Sequence, residues 1–269
     1  MKKTRRMFII TLFAVILTLS FVACSKRNAD SNNNESSGEG AKNGLSTSAK
    51  DIVNIGVTDN LSSVNPLLMD GTEVVKYTTS LVFLPLVELN RDLEFEGMLA
   101  KEITTEDNRN FIIKLDENAV WSDGTPITSD DVVFTFLLLA SPEIGNTSLF
   151  FYKIEGTGDS GFVEPGADSL SGVVALDEHT VRITTKSEMA LHTFQNIYGR
   201  YILILPKHVL KDVPRENLLS YDWFNAPTVV SGPYFIKDVD LNHYVTLEAN
   251  DNYFKGEPKI KNLNIKVVT

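Results

Sequence analysis

Little in this sequence is built for covalent or redox chemistry. Cys24 is the one cysteine among 269 residues, so no intramolecular disulfide can form. The four histidines (His179, His192, His208, His243) are scattered, and none has a cysteine or a second histidine at metal-ligand spacing. His179 reads as a hairpin residue and His208 as a surface residue of a short helix. There is no G-x-S-x-G elbow, no P-loop and no dinucleotide fingerprint. Ser231-Gly232-Pro233 supplies a serine without the strand–turn–helix setting a nucleophile needs. Asp130 and Asp131 read better as acids at a helix start than as a catalytic pair. The expectation is a protein that is not an enzyme and that uses no metal or cofactor.

Acidic charge is missing from one end only. Residues 1–23 hold no acid, only Lys2, Lys3, Arg5 and Arg6; beyond them 21 bases face 35 acids, a formal charge of -14. A surface that acidic repels phosphate backbones, so nucleic acid is not an expected partner. Hydrophobic residues at 43% and charged residues at 22% exclude a polytopic membrane protein, a collagen-like chain and a wholly disordered one.

What is present begins with an export signal over residues 1–23. A basic n-region precedes an almost unbroken apolar run over residues 7–23, about the length of a signal h-region and short for a bilayer-spanning helix. Phe21-Val22-Ala23-Cys24 resembles a lipobox, which implies that Cys24 is lipidated and becomes the mature N-terminus. The other reading is an uncleaved anchor with an incidental cysteine. Both put the remainder outside the cytoplasmic membrane, on a periplasmic or outer face. Residues 24–50 contain too few apolar side chains to offset their ordering entropy and read as a flexible linker.

From residue 51 the pattern is globular. Ile52, Val53, Ile55 and Val57 predict a strand, and Asn65-Pro66 a turn. Val74, Tyr77, Leu81 and Leu84 are spaced for a helix over residues 73–84, ended by Pro85. Phe111, Ile113 and Leu115 alternate as a strand, and Trp121-Ser122-Asp123-Gly124 is a turn. Thr128 with Asp131 forms a capping-box start to an apolar helix. Hairpins are predicted around residues 177–179 and 240–242, a helix over 189–198, and a last strand through Leu263, Ile265 and Val267. The mixture argues an α/β fold with a mixed sheet.

Four blocks then carry a resemblance. They are Trp121-Ser-Asp-Gly-Thr-Pro-Ile-Thr-Ser-Asp-Asp-Val-Val-Phe134; Leu99-Ala100-Lys-Glu-Ile with Phe111-Ile-Ile-Lys-Leu115; Leu205-Pro-Lys-His-Val-Leu210; and Ser231-Gly-Pro-Tyr234 with the stretch from Glu248 to Pro258. Their sequence and order are similar to those of family 5 extracellular solute-binding proteins, the oligopeptide-, dipeptide- and nickel-binding lipoproteins of ABC importers. Ser231 stands where threonine is usual, Phe254 where tryptophan is usual, and Lys114-Leu115 inverts the common order. The resemblance implies lobe I of a type II periplasmic-binding-protein (Venus-flytrap) fold over residues 51–269, with a β-rich subdomain at about 85–190. It also implies that the second lobe is absent from this chain, as in a truncated or split gene product or a partial gene model.

By the same resemblance the function is capture of peptides and delivery to ABC permease subunits. Two loops are expected to touch ligand. Met69, Asp70, Gly71 and Thr72 would offer backbone to an extended peptide, with Gly71 allowing close approach; Asp70 or Thr72 would otherwise simply cap the helix at Glu73. Phe150, Phe151 and Tyr152 would form an aromatic rim, or else part of the core. Tyr198, near Gly199, is a further aromatic candidate. The alternative function is a half-clamp surface lipoprotein that acts through protein–protein contact.

Overall fold

Alternating apolar side chains sort the body into two four-stranded sheets. The computed structural model describes residues 52–68 and 72–268. The export signal, Cys24 and the linker lie outside the described residues, as do Met69, Asp70 and Gly71. The first half runs β1 (Ile52–Val57), α1 (Glu73–Ser80), β2 (Val87–Leu89), β3 (Phe95–Gly97), β4 (Ala100–Thr105), β5 (Asn110–Leu115) and α2 (Ser129–Leu139). It continues with β6 (Val173–Asp177), β7 (Thr180–Thr184), α3 (Leu191–Phe194), α4 (Lys207–Leu210), β8 (Tyr234–Asp240), β9 (Tyr244–Ala249) and β10 (Asn262–Val267).

The first sheet has the order β1-β10-β9-β8 and is mixed, because β1 runs parallel to β10 while the other pairs are antiparallel. Period-two alternation buries Leu263 and Ile265 of β10 beside Val245 and Leu247 of β9. β1 is the edge, and none of its residues is buried. Ile55 stands in register with Ile265, yet it remains 40% exposed. The second sheet, β4-β5-β7-β6, is antiparallel throughout. Its central strands bury Phe111, Ile113, Leu115, Val181 and Ile183, and α2 lies against β6 and β7. Phe111 stacks on Phe194 with centroids 3.9 Å apart. β2 and β3 form a separate two-stranded ribbon.

The blocks that carried the resemblance meet in space as a framework. Asp131 closes the capping box by accepting the Thr128 amide at 3.0 Å. The same carboxylate accepts the Trp121 indole N–H at 3.4 Å and the Lys207 amide at 2.9 Å. Burial raises the Asp131 carboxyl above the usual range, against the pull of these donors. His208 and Asp123 sit 3.0 Å apart, and Ser122 and Val230 exchange two hydrogen bonds. Ser231 is buried and accepts the Leu84 amide at 2.8 Å, so its hydroxyl is structural. Gly232 is required by packing, since a Cβ there would lie 2.3 Å from the Leu81 carbonyl oxygen.

The helix expected over 189–198 is α3, Leu191–Phe194, continued by a π-helical turn at Gln195–Gly199, and the Gly232 contact bears on the other helix that differs from expectation. α1 ends at Ser80, before the Pro85 stop read from the sequence. Leu81, Val82 and Leu84 give their carbonyls to Tyr234, Gly232 and Ile204, at 2.8–3.0 Å. Val82, Phe83 and Leu84 are all buried, and the segment turns into the core, with the Val82 and Phe83 amides donating to the Thr79 carbonyl. Just before it, Thr79 and Ser80 turn their hydroxyls back onto the carbonyls of Val75 and Tyr77, a local competitor to helix. Tyr77, counted on the apolar face by spacing, is 55% exposed.

Candidate functional site

The start of α1 opens a cleft of about 340 Å³. Thr72 occupies the N-cap position in extended conformation, and its carbonyl accepts the Lys76 amide. Helical spacing then places Thr72, Val75 and Lys76 along one wall. The opposite lining comes from far along the chain: Leu149 and Phe150, then Asn196, Ile197 and Tyr201. Of the residues proposed from sequence, Thr72 and Phe150 are brought together here. Phe151 is not in the lining; it is 2% exposed and packs in the core against Phe136 and Tyr198. The rim reading is therefore corrected for Phe151: a one-turn 3-10 segment, Phe151–Lys153, buries it while its neighbours stay outside. Tyr152 sets its ring edge-on to Phe150, with centroids 6.0 Å apart.

Phe150 is held in an uncommon backbone conformation. Its φ of 52° and ψ of 34° are left-handed, a region bulky residues rarely adopt without compensation. The compensation is visible. The Phe150 carbonyl accepts the Tyr198 phenol at 2.8 Å and the Lys153 amide at 3.0 Å. Tyr198 is fully buried in an aromatic cluster with Phe136, Phe151 and Phe194, and this burial raises its phenol above the ordinary value. Tyr198 is thus a positioning residue behind the cleft. The π-helical turn Gln195–Gly199 that carries it also delivers Asn196 and Ile197 to the lining. Gly199 allows that turn to close on β2, where a Cβ would sit 2.8 Å from a Val87 methyl.

Two cations flank Tyr201. Lys76 Nζ lies 4.4 Å from the ring centroid and the Arg200 guanidinium 5.4 Å from it. Arg200 is tied to Glu88 by a hydrogen-bonded ion pair. Burial opposes its charge, but the Glu88 carboxylate overrides that and raises its pKa. Lys76 has Glu73 as its ion partner among the described residues, at 3.9 Å. Glu73 also holds the Tyr77 phenol above its usual value by accepting its proton in a hydrogen bond. Lys76, Asn196, Ile197 and Tyr201 were not singled out by sequence reasoning. For Lys76 a signal existed, because it lies one helical turn beyond Thr72; for Asn196, Ile197 and Tyr201 there was none, since only the tertiary fold brings them to α1.

A second cavity, about 410 Å³, opens where α2 and α4 begin. Its charged groups serve the framework: Lys207 pairs with Asp130 at 2.8 Å and both Asp131 oxygens are engaged. Among the described residues no group of three or more histidine, cysteine or carboxylate side chains is placed to hold a metal ion, and no helix is long and apolar enough to cross a membrane. The first cleft offers apolar walls, hydrogen-bond groups, one lysine and, at its lining beside that lysine, Glu73.

The model of the bacterial extracellular solute-binding proteins, family 5 Middle, matches residues 94–269. The chain belongs to this family. A Brucella ovis relative named as an ABC transporter peptide-binding protein is 32% identical over 205 residues, covering 74% of this chain and 34% of the relative. The oligopeptide-binding protein AppA of Bacillus subtilis is 27% identical over 188 residues, covering 68% of this chain and 31% of AppA. The chain thus spans about a third of the length of the curated relatives it matches. The solved structure of AppA with a nonapeptide superposes with a TM-score of 0.68 at 23% identity, over 81% of this chain and 40% of AppA. The architecture is accordingly a mixed α/β portion of the type II periplasmic-binding-protein fold, shared with the family 5 solute-binding proteins.

Proposed function

We propose that this chain supplies one wall of a peptide-binding site in an extracytoplasmic receptor that passes its ligand to an ABC permease. The observation that carries this reading is the cleft at the start of α1, where Thr72 and Phe150 converge although 78 positions separate them in the sequence. Its lining is mostly apolar with a few polar groups, the character of a small-molecule or peptide subsite. The strained Phe150 backbone, braced from behind by Tyr198, keeps an aromatic side chain at the cleft when no ligand is there. The names of the relatives support peptide as the solute. The role is capture and not catalysis, with no resident cofactor. A lipid on Cys24 would hold the receptor at the membrane, and Cys24→Ser would then abolish incorporation of a labelled fatty acid into the protein.

The test is a nuclear magnetic resonance titration of the chain with a blocked trialanine peptide, a probe that detects weak binding. Shifts are expected at the Val75 and Ile197 methyls and at Thr72, with weak affinity. Saturating shifts confined to other surfaces, or none at all, would remove the reading. One observation favours the second reading, a surface lipoprotein working through protein contact: the apolar edge strand β1 exposes Ile52 and Ile55. A concentration-dependent oligomer that protects the β1 amides from exchange would support it.

A further inference from the structure

We infer that Lys76 makes the cleft selective for a carboxylate placed beside an apolar group of the ligand. This inference rests on the peptide-receptor reading above and specifies which peptides the cleft prefers.

Four observations converge on Lys76. Its side chain is only 14% exposed, although it lines an open cleft. The other cation at Tyr201, Arg200, is satisfied by a hydrogen-bonded carboxylate, whereas the Glu73 oxygen lies 3.9 Å from Lys76, at the outer limit of an ion pair. Glu73 also lines the cleft, but it is 62% exposed and accepts from the Tyr77 phenol, so it is a screened and shared counter-charge. Finally, the Tyr201 ring, with its centroid 4.4 Å from Nζ, holds the ammonium against the cleft wall. A cation held at a cavity wall, with only a screened and shared carboxylate beside it, is placed to take a second anion.

The surroundings define the ligand. Val75, Leu149, Phe150 and Ile197 make most of the lining apolar, which lowers the local dielectric and strengthens attraction between the ammonium and an incoming carboxylate. Asn196 and Ser148 add neutral hydrogen-bond donors. A cleft of about 340 Å³ lies at the small end of ligand sites, room for a short acidic–apolar stretch and not for a whole long peptide. The carboxylate can be an aspartate or glutamate side chain or a peptide C-terminus; the chemistry at Lys76 is the same.

Three peptides separate the sources in the same titration of the full chain. They are acetyl-Ala-Glu-Ala-amide, acetyl-Ala-Ala-Ala with a free carboxyl terminus, and acetyl-Ala-Gln-Ala-amide. At least one of the two anions should bind about tenfold more tightly than the glutamine peptide, the worth of one charge-assisted hydrogen bond. Which anion wins identifies the source. Lys76→Met should abolish the difference by weakening the anions more than the glutamine peptide, and Lys76→Arg should restore most of it. Glu73→Gln, which removes the competing charge, should increase the preference. Thermal unfolding of each variant checks that the fold survives, and Lys76→Arg keeps the test valid if Lys76→Met does not fold. Equal affinity for all three peptides at Val75 and Ile197 overturns the selectivity but leaves the peptide site standing. Absence of shifts there with every peptide overturns the receptor reading and this inference together.

Discussion

The two four-stranded sheets are built from similar strands but finished differently. In the second sheet, β5 and β7 are central and flanked on both edges, α2 lies against β6 and β7, and every apolar residue of the central strands that alternates inward is buried. In the first sheet, β1, Ile-Val-Asn-Ile-Gly-Val, has as many apolar residues as β5, four of six, yet none of its residues is buried. The difference is one of cover, not of strand propensity. A strand pattern in sequence reports that a face can be buried; whether it is buried depends on what the rest of the fold lays over it. Closure differs too. The second sheet contains two tight hairpins, whereas β1 pairs with a strand 210 positions away.

The contrast predicts unequal costs. Phe111→Ala removes a fully buried ring stacked on Phe194 and should cost about 3–5 kcal/mol in urea unfolding. A loss below 1 kcal/mol would mean the second sheet is no better packed than the first. Tyr198→Phe, at the cleft end of the same aromatic cluster, should cost about 1 kcal/mol by removing the bond to the Phe150 carbonyl. It should also broaden or shift the Phe150 amide resonance, and an unchanged amide would show that the left-handed turn does not need its brace. Ile55→Thr in β1 should stay within about 0.5 kcal/mol, as for an ordinary surface change. A cost above 2 kcal/mol would reveal that something covers β1 in solution.

Acid should produce the mildest contrast. Asp107, before β5, is held well below the usual carboxylate range by the Asn110 and Arg109 amides, and Asp177, before β7, is lowered by the His179 amide and Thr180. For a carboxyl depressed in the folded state, the stabilisation is complete above the unfolded value of 3.8 and is lost as pH falls through the folded value. Both groups are exposed, so the effect is small. Hydrogen exchange below pH 4 should show the β4–β5 and β6–β7 turns loosening before the β8–β9 turn; the reverse order would refute the assignment.

Local chemistry was legible in the sequence wherever neighbours in the chain are neighbours in space. The capping box at Thr128 and Asp131, the turn at Gly124 with its φ of 87°, and the hairpins at residues 177–179 and 240–242 all follow from short-range rules. The early end of α1 did not, because carbonyls claimed by Gly232, Tyr234 and Ile204 decide it. Nor did the left-handed turn at Phe150: no local signal marks it, and its brace arrives from Tyr198, 48 positions on. The cleft was half legible. Thr72 and Phe150 could be named from the family resemblance, and Lys76 was within reach by its spacing from Thr72, but Asn196, Ile197 and Tyr201 required the fold.

The long reach from β1 to β10 has a consequence for biosynthesis. β1 leaves the ribosome 210 residues before its partner exists, on the order of 10–40 s at ordinary translation rates. For that interval a bare, flat, apolar strand is a template for any other unpaired strand it meets. A nascent chain threaded across a membrane in extended form and released only when complete would avoid the hazard, since the two strands would then emerge into the same compartment ready to pair.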